Sequence, residues 1–195
     1  MTIVSVEEFQ DYTRDEITAN LVESEAILEA TDELLADICH RKWIIATTST
    51  TRHYAPRSWT DCIRFHDCTS VTTITADGVV VAATEYQLEP LNALDWAGNA
   101  RPYEQARRIG SHWPFDNFKA TVAVNAAWGW PAIPARVKRA ALVLAKDIGK
   151  HRDLSFGTAV VVDYGALRVR QATLVDDLIH NFRRPEAMAG IGGPR

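Results

Sequence analysis

Between Glu16 and Arg41 the apolar residues Ile17, Leu21, Leu28, Leu35 and Ile38 recur three, four or seven positions apart, with Ala26, Ala30 and Ala36 beside them. That period gathers them on one stripe of a helix and leaves the opposite surface to acids. A helix of this span would be about 39 Å long, against a radius of gyration of about 16 Å for a compact chain of this size. The segment therefore predicts an elongated subunit or one built around this helix. It is also where the negative charge sits: residues 1–40 hold eleven acids against the single base Arg14, while the other 155 residues hold twenty bases and fourteen acids. Such a split predicts opposite-sign faces that meet within one subunit or between subunits. With a net charge of -4, the chain lacks the basic excess of a dedicated nucleic-acid binder.

The 195 residues, 47% of them hydrophobic, suffice for a core without disulfide or metal staples, since a chain of this length buries roughly 70% of its unfolded surface. Residues 1–10 carry Glu7 and Glu8 and no basic start, and no apolar run approaches the roughly 18 residues that span a bilayer. Secretion and membrane insertion are not expected. Three cysteines without a repeating spacing fit free thiols in a reducing compartment.

Further signals divide the chain. Ser5 ahead of Glu7 and Glu8 marks a first short helix. From Trp43 onward β-branched and aromatic residues are broken by prolines. Ile63 and Phe65 alternate with Cys62, Arg64 and His66 as the two faces of a strand. Residues 71–76 and 79–88 around Asp77-Gly78 read as a hairpin. Residues 89–104 read as a loop, and strands near 105–112 and 118–127, with Phe118, Ala120, Val122 and Val124 inward, are expected to pair across the turn at 113–117. Trp128 and Trp130 flank Gly129 where the strand breaks, a clamp of strand end onto the next helix. Pro134 opens a basic helix that Gly149 should end. Residues 158–171 read as a protruding hairpin, and Leu174, Leu178, Ile179 and Phe182 as a last helix. The expected fold is α+β: mainly an α-helical bundle with an inserted small antiparallel β module. Its parts are N-terminal helices 5–43, the β module 44–130, C-terminal helices 131–184 with the hairpin 158–171, and a flexible tail 185–195.

Catalytic motifs are missing. No nucleophile elbow, His-Glu-x-x-His, phosphate-binding loop or dinucleotide fingerprint occurs. Cys62, His66 and Cys68, with Cys39 and His40 as possible additions, form the best metal candidate, but their spacing matches no usual zinc pattern and buried free thiols are the expected state. Two readings stay open beside a structural one: a small zinc- or cysteine-dependent enzyme using that region, and a nucleic-acid-binding packaging factor. Trp59, Trp96 and Trp113 fall in or beside loops, where large aromatics favour protein interfaces.

The order of several segments resembles the head-to-tail adaptor family of tailed bacteriophages, also called head completion or head-tail connector proteins. An acidic helix runs into Ile38-Cys39-His40-Arg41-Lys42-Trp43. Ser70-Val71-Thr72-Thr73-Ile74 precedes Asp77-Gly78 and Tyr86-Gln87-Leu88-Glu89-Pro90-Leu91-Asn92. Val122-Ala123-Val124-Asn125-Ala126-Ala127-Trp128-Gly129-Trp130 leads to Ile133-Pro134-Ala135-Arg136-Val137-Lys138-Arg139-Ala140-Ala141, and the last helix closes on Asn181-Phe182-Arg183-Arg184. The resemblance covers about residues 5–184; the long loop 92–107 and the large β module depart from it. It implies a non-enzymatic virion protein without cofactor, assembled in the host cytoplasm. Such a protein forms a ring, usually dodecameric, in the neck between the capsid portal and the stopper or tail proteins, and packaged DNA passes through without sequence-specific binding. On that basis Arg183, Arg184, Ile191 and Arg195 are portal-binding candidates. Arg168 and Arg170 are candidates for lumen or neck contacts, and Glu25, Glu29, Asp32, Arg136, Arg139, Trp59 and Trp96 for subunit interfaces.

Overall fold

The computed structural model describes residues 2–14, 20–56, 58–95, 98–117, 119–154 and 174–184, with backbone only for 151–154. The chain divides into two compact units. One comprises Met1–Trp43 with Ile133–Arg184, and the other contains Ile44–Ala132.

The first unit is helical. Helix α1 (Val6–Thr13) starts on a capping box in which the Glu8 N–H donates to Ser5 Oγ and the Ser5 N–H to Glu8 Oε2. This pairing satisfies two amides that have no partner inside the helix. Helix α2 (Leu21–Cys39) repeats the device with Asn20 and Glu23. The cap at Asn20 fixes the start of α2 and shortens the helix expected from Glu16; Ile17 lies outside the described residues. Ser24, Ile27, Leu28, Thr31, Leu35 and Cys39 are its buried face. Helix α3 (Ala135–Leu154) begins as Pro134 accepts the Lys138 N–H at 3.0 Å. It continues through Gly149, a buried position, so the expected stop there is corrected. One interior glycine costs only about 1 kcal/mol relative to alanine, and burial of the surrounding stripe offsets it. Helix α4 (174–179) ends in a 3-10 turn at His180–Phe182.

The second unit is a six-stranded antiparallel sheet: β1 (Ser49–Tyr54), β2 (Cys62–Ala76), β3 (Val79–Val81), β4 (Tyr86–Glu89), β5 (Tyr103–Arg108) and β6 (Val122–Trp128), in the order β1-β6-β2-β5-β4 with β3 beside β2. The expectation of a mainly helical bundle with a small β insert is thereby overturned: the protein is mainly β with helices. Its central strand β2 is fifteen residues long. It pairs with β6 on one side and with β5 and then β3 on the other. The Asp77-Gly78 hairpin forms as predicted, both residues having positive φ (49° and 81°) as a two-residue turn of this kind requires. Its second arm stops at Val81, however, and a 3-10 turn at Ala83–Glu85 leads into a separate β4. Strands β5 and β6 do not pair with one another as the turn at 113–117 suggested, because β2 lies between them. Ala120 is exposed and precedes the strand.

One face of the sheet builds the unit's core from Tyr54, Ile63, Phe65, Cys68, Ile74, Val122, Val124 and Trp128, with Trp113 fully buried among them. The Trp113 indole N–H donates to the Ala106 carbonyl, which satisfies its one polar group. Trp113 is thus a core residue and not a surface aromatic. At the end of β6 the buried Asp67 accepts the Trp130 indole N–H (3.1 Å), and its carbonyl accepts the Gly129 N–H (2.8 Å). The Trp130 N–H donates to the Ile44 carbonyl at 2.7 Å.

Candidate assembly surfaces

Within the helical unit, α1 and α3 frame a groove lined by Asp11, Tyr12, Arg14, Arg139 and Lys146. Arg139 and Lys146 are seven residues apart, two turns on one face of α3. The Arg139 guanidinium carbon lies 4.7 Å from the Tyr12 ring centroid and Lys146 Nζ 5.7 Å from it, both within cation–π range. Arg14 occupies the left-handed cap of α1 at φ 49°. Beside the groove, Lys138 Nζ is paired with Glu8 Oε1 at 3.0 Å. The Ser5 amide, together with that pairing, holds the Glu8 carboxyl below its usual range. Part of the opposite-sign charge is therefore neutralised inside one unit.

The subunit-interface candidates separate. Glu25 and Glu29 are exposed on α2, and Arg136 and Arg139 on α3. Asp32 is half-buried and accepts the Ile3 N–H at 3.0 Å; burial is the main influence on its carboxyl and raises the pKa. It ties down the N-terminal segment. Trp59 is 68% exposed. Trp96, Arg168, Arg170, the hairpin 158–171, Ile191, Arg195 and the rest of the tail 185–195 lie outside the described residues.

Arg183 and Arg184 sit where the last described segment meets the end of α2. Arg183 pairs with Asp176, and the Arg184 N–H donates to the Cys39 carbonyl at 3.0 Å. The buried Arg41 donates its Nε–H to the Phe182 carbonyl, and the Phe182 ring meets Trp43 edge-on at 6.0 Å. Segment 174–184 is clasped in this way to the α2 C-terminus. Arg41 appeared in the sequence only as part of the helix-ending run, and Tyr12 carried no signal until α1 and α3 were brought together.

Cys62, His66 and Cys68 do not converge. A register shift in β2 between Arg64 and Cys68 breaks the alternation. Cys68 therefore turns into the core, while His66 stays exposed with Nδ1 2.9 Å from the Tyr54 hydroxyl. Burial pushes the Tyr54 hydroxyl up to about 12 and the Cys39 thiol up to about 11. It raises Cys62 as well, and a raised thiol pKa is the reverse of what a nucleophile needs. Among the described residues no three His, Cys, Asp or Glu side chains stand close enough to hold a metal ion, and no helix is long and apolar enough to cross a membrane.

The sheet carries its own charge cluster. Arg107 bridges Glu89 (2.9 Å) and Asp61 (2.5 Å), and Glu89 also accepts from Gln105. Arg107 and Gln105 hold Glu89 below its ordinary value of 4.5. Because the folded pKa is depressed, this stabilisation is fully present above pH 4.5 and is lost as pH falls through the folded value. Denaturation midpoints should therefore drop as pH is lowered from 4.5, and Glu89→Gln should lower the midpoint at pH 7 and flatten that slope. An unchanged acid slope in the variant would contradict the assignment.

The described residues thus form a sheet unit and a helical unit that present charged and aromatic surfaces. No protein-family model and no curated protein sequence matches the chain. Its fold does match chains of solved particles. A chain from the neck of the native GTA particle computed with C12 symmetry aligns with a TM-score of 0.56 at 16% identity, covering 96% of this chain and 92% of that one. One from the neck of the empty GTA particle computed with C6 symmetry gives 0.56 at 18%, covering 97% and 94%. One from the virion of the native gene transfer agent particle gives 0.58 at 17%, covering 96% and 93%. At these identities the likeness is one of fold, and it runs nearly end to end in both chains.

Proposed function

We propose that this chain is a structural neck protein of a phage-like particle, a non-enzymatic head-to-tail adaptor that forms a homo-oligomeric ring between the capsid portal and the stopper or tail proteins. The observation that carries this reading is the fold likeness to neck chains over more than nine-tenths of both chains, from necks computed with C12 and with C6 symmetry. The resemblance in segment order supports the same role by a separate route. In this reading the ring is a dodecamer that surrounds the DNA exit channel. Its net negative charge suits passage of DNA, since each phosphate neutralised by a basic wall would add salt-dependent affinity.

In this reading the segment 174–184, clasped onto α2, precedes the tail 185–195 in sequence, and Arg183, Arg184, Ile191 and Arg195 are assigned to the portal contact. Arg168 and Arg170 are assigned to the lumen or the next neck protein. Particles made without this protein should accumulate as filled, tailless heads, and purified protein added back should restore tail joining. A chain ending at residue 184 should form rings yet restore less than about a tenth of joining, as expected when a segment that contacts the partner is removed. Full joining by the truncated chain would contradict the tail assignment, and normal tails without the protein would contradict the function.

A further inference from the structure

The exposed side of α2 has an ordered pattern. Glu25, Glu29, Glu33 and Asp37 follow one another at four-residue spacing and are all exposed. Beside them runs a second exposed row, Val22, Ala26, Ala30 and Leu34, with Val22 at 73% exposure. Among the described residues none of the four acids makes an ion pair, and like charges one turn apart repel each other. An apolar ridge flanked by acids that have no ion pair among the described residues offers a negatively charged face that a basic surface would complement.

This chain carries such a partner surface elsewhere. Among the described residues, the groove between α1 and α3 brings Arg14, Arg139 and Lys146 together with one carboxylate, that of Asp11. Glu8, a nearby acid, is already bound by Lys138. The Tyr12 ring holds Arg139 and Lys146 against it, so two long side chains are ordered in advance and lose less freedom on binding. Along α3 the span from Arg136 to Lys150 is about 21 Å, and the acidic row of α2 from Glu25 to Asp37 is about 18 Å. The two surfaces match in sign and in length. They lie on different faces of the unit, because α2 turns Ile27, Leu28, Thr31 and Leu35 inward and its acidic row outward.

We infer that the groove of one copy receives the acidic face of α2 from a second copy. The contact joins two different surfaces, so it repeats head to tail and closes into a ring when the rotation allows. This inference rests on the ring reading above and supplies its interface.

The test uses the full-length protein, with native mass spectrometry at low ionic strength and circular dichroism as the check on folding. The groove variant is Arg14→Glu with Arg139→Glu, and the face variant is Glu29→Lys with Glu33→Lys. Each alone should need roughly a hundredfold more protein to assemble than the wild type, and Arg14→Gln with Arg139→Gln roughly tenfold more, as expected for losing or reversing close charge pairs. An equimolar mixture of the groove and face variants should recover wild-type assembly with the two copies in equal numbers, because every contact in an alternating ring is again complementary. If the Glu variant of the groove does not fold, the Gln pair decides. Wild-type protein that assembles while folded variants assemble equally well overturns this inference and leaves the ring reading standing, as does a mixture that fails to recover. Wild-type protein that never self-associates overturns both. Loss of duplex-DNA binding in the groove variant with assembly unchanged would assign the groove to nucleic acid and overturn the inference.

Discussion

Replacing Gly129 by alanine should lower the stability of the sheet unit by about 3 kcal/mol or more, the scale of a backbone clash combined with an unfavourable φ. Gly129 has φ 130°, a region that L-residues rarely adopt. A Cβ there would run into the Ile44 carbonyl oxygen and lie 3.0 Å from the Ala46 nitrogen. Neither neighbour can yield cheaply. The Ile44 carbonyl accepts the Trp130 N–H at 2.7 Å, and the Ala46 N–H donates to the Trp130 carbonyl at 3.1 Å. A shift large enough to admit the methyl group would strain both bonds and the bond between the buried Asp67 and the Trp130 indole. Thermal melts followed by tryptophan fluorescence should show the midpoint falling by roughly 10 °C, at about 2–4 °C per kcal/mol for a chain of this size. A midpoint within two or three degrees of the wild type would refute this account of the Trp128-Gly129-Trp130 corner.

Arg41→Ala should weaken the helical unit by about 2–3 kcal/mol, the usual loss when a buried hydrogen bond to a charged group is removed. It should also free segment 174–184. Arg41 is 5% exposed, and its Nε–H donates to the Phe182 carbonyl across 141 residues of chain. The substitution leaves the Phe182 carbonyl without its charged donor. Arg41→Lys should not rescue, since an ammonium lacks the planar fork. Limited proteolysis should cut the variant first between residues 174 and 184 while the sheet unit stays intact, and hydrogen exchange at Arg184, whose amide bonds to Cys39, should accelerate. Unchanged protection there would mean that the Trp43–Phe182 contact alone holds the segment.

The parts that could be read from the sequence were those set by neighbours in the chain. Ser5 and Glu8 make their capping box within four residues, and Asp77-Gly78 makes its turn from its own backbone preferences. Ile63 and Phe65 were placed on one face of a strand, and Val122 and Val124 inward, because a strand's period is local. What was lost depended on distant pairing. Strand β1 is polar along its length, lies at the edge of the sheet and is mostly exposed, so it leaves no alternation to detect. The neighbours of β2 were misassigned because adjacency in sequence favoured β5 with β6, whereas the fifteen-residue β2 fits between them. Underestimating β1 and β2 is what made three helical stripes look like the dominant architecture.

The same distinction applies to the surfaces. The charge split between residues 1–40 and the remainder was visible as arithmetic. Its division into an internal pair, Glu8 with Lys138, and two outward faces depended on the packing of α1 against α3. The shift in β2 that sends Cys68 into the core and leaves His66 outside has no signature in residue type. Strict alternation placed both on one side, and the irregularity in the ladder separates Cys68 from His66.

Negative-stain imaging of the purified protein, alone and mixed with the portal that proposed neck function requires, tests the central claim most directly. The account predicts closed rings with a central channel that stack coaxially on the portal. Protein that remains monomeric at every concentration and leaves the portal undecorated would contradict it.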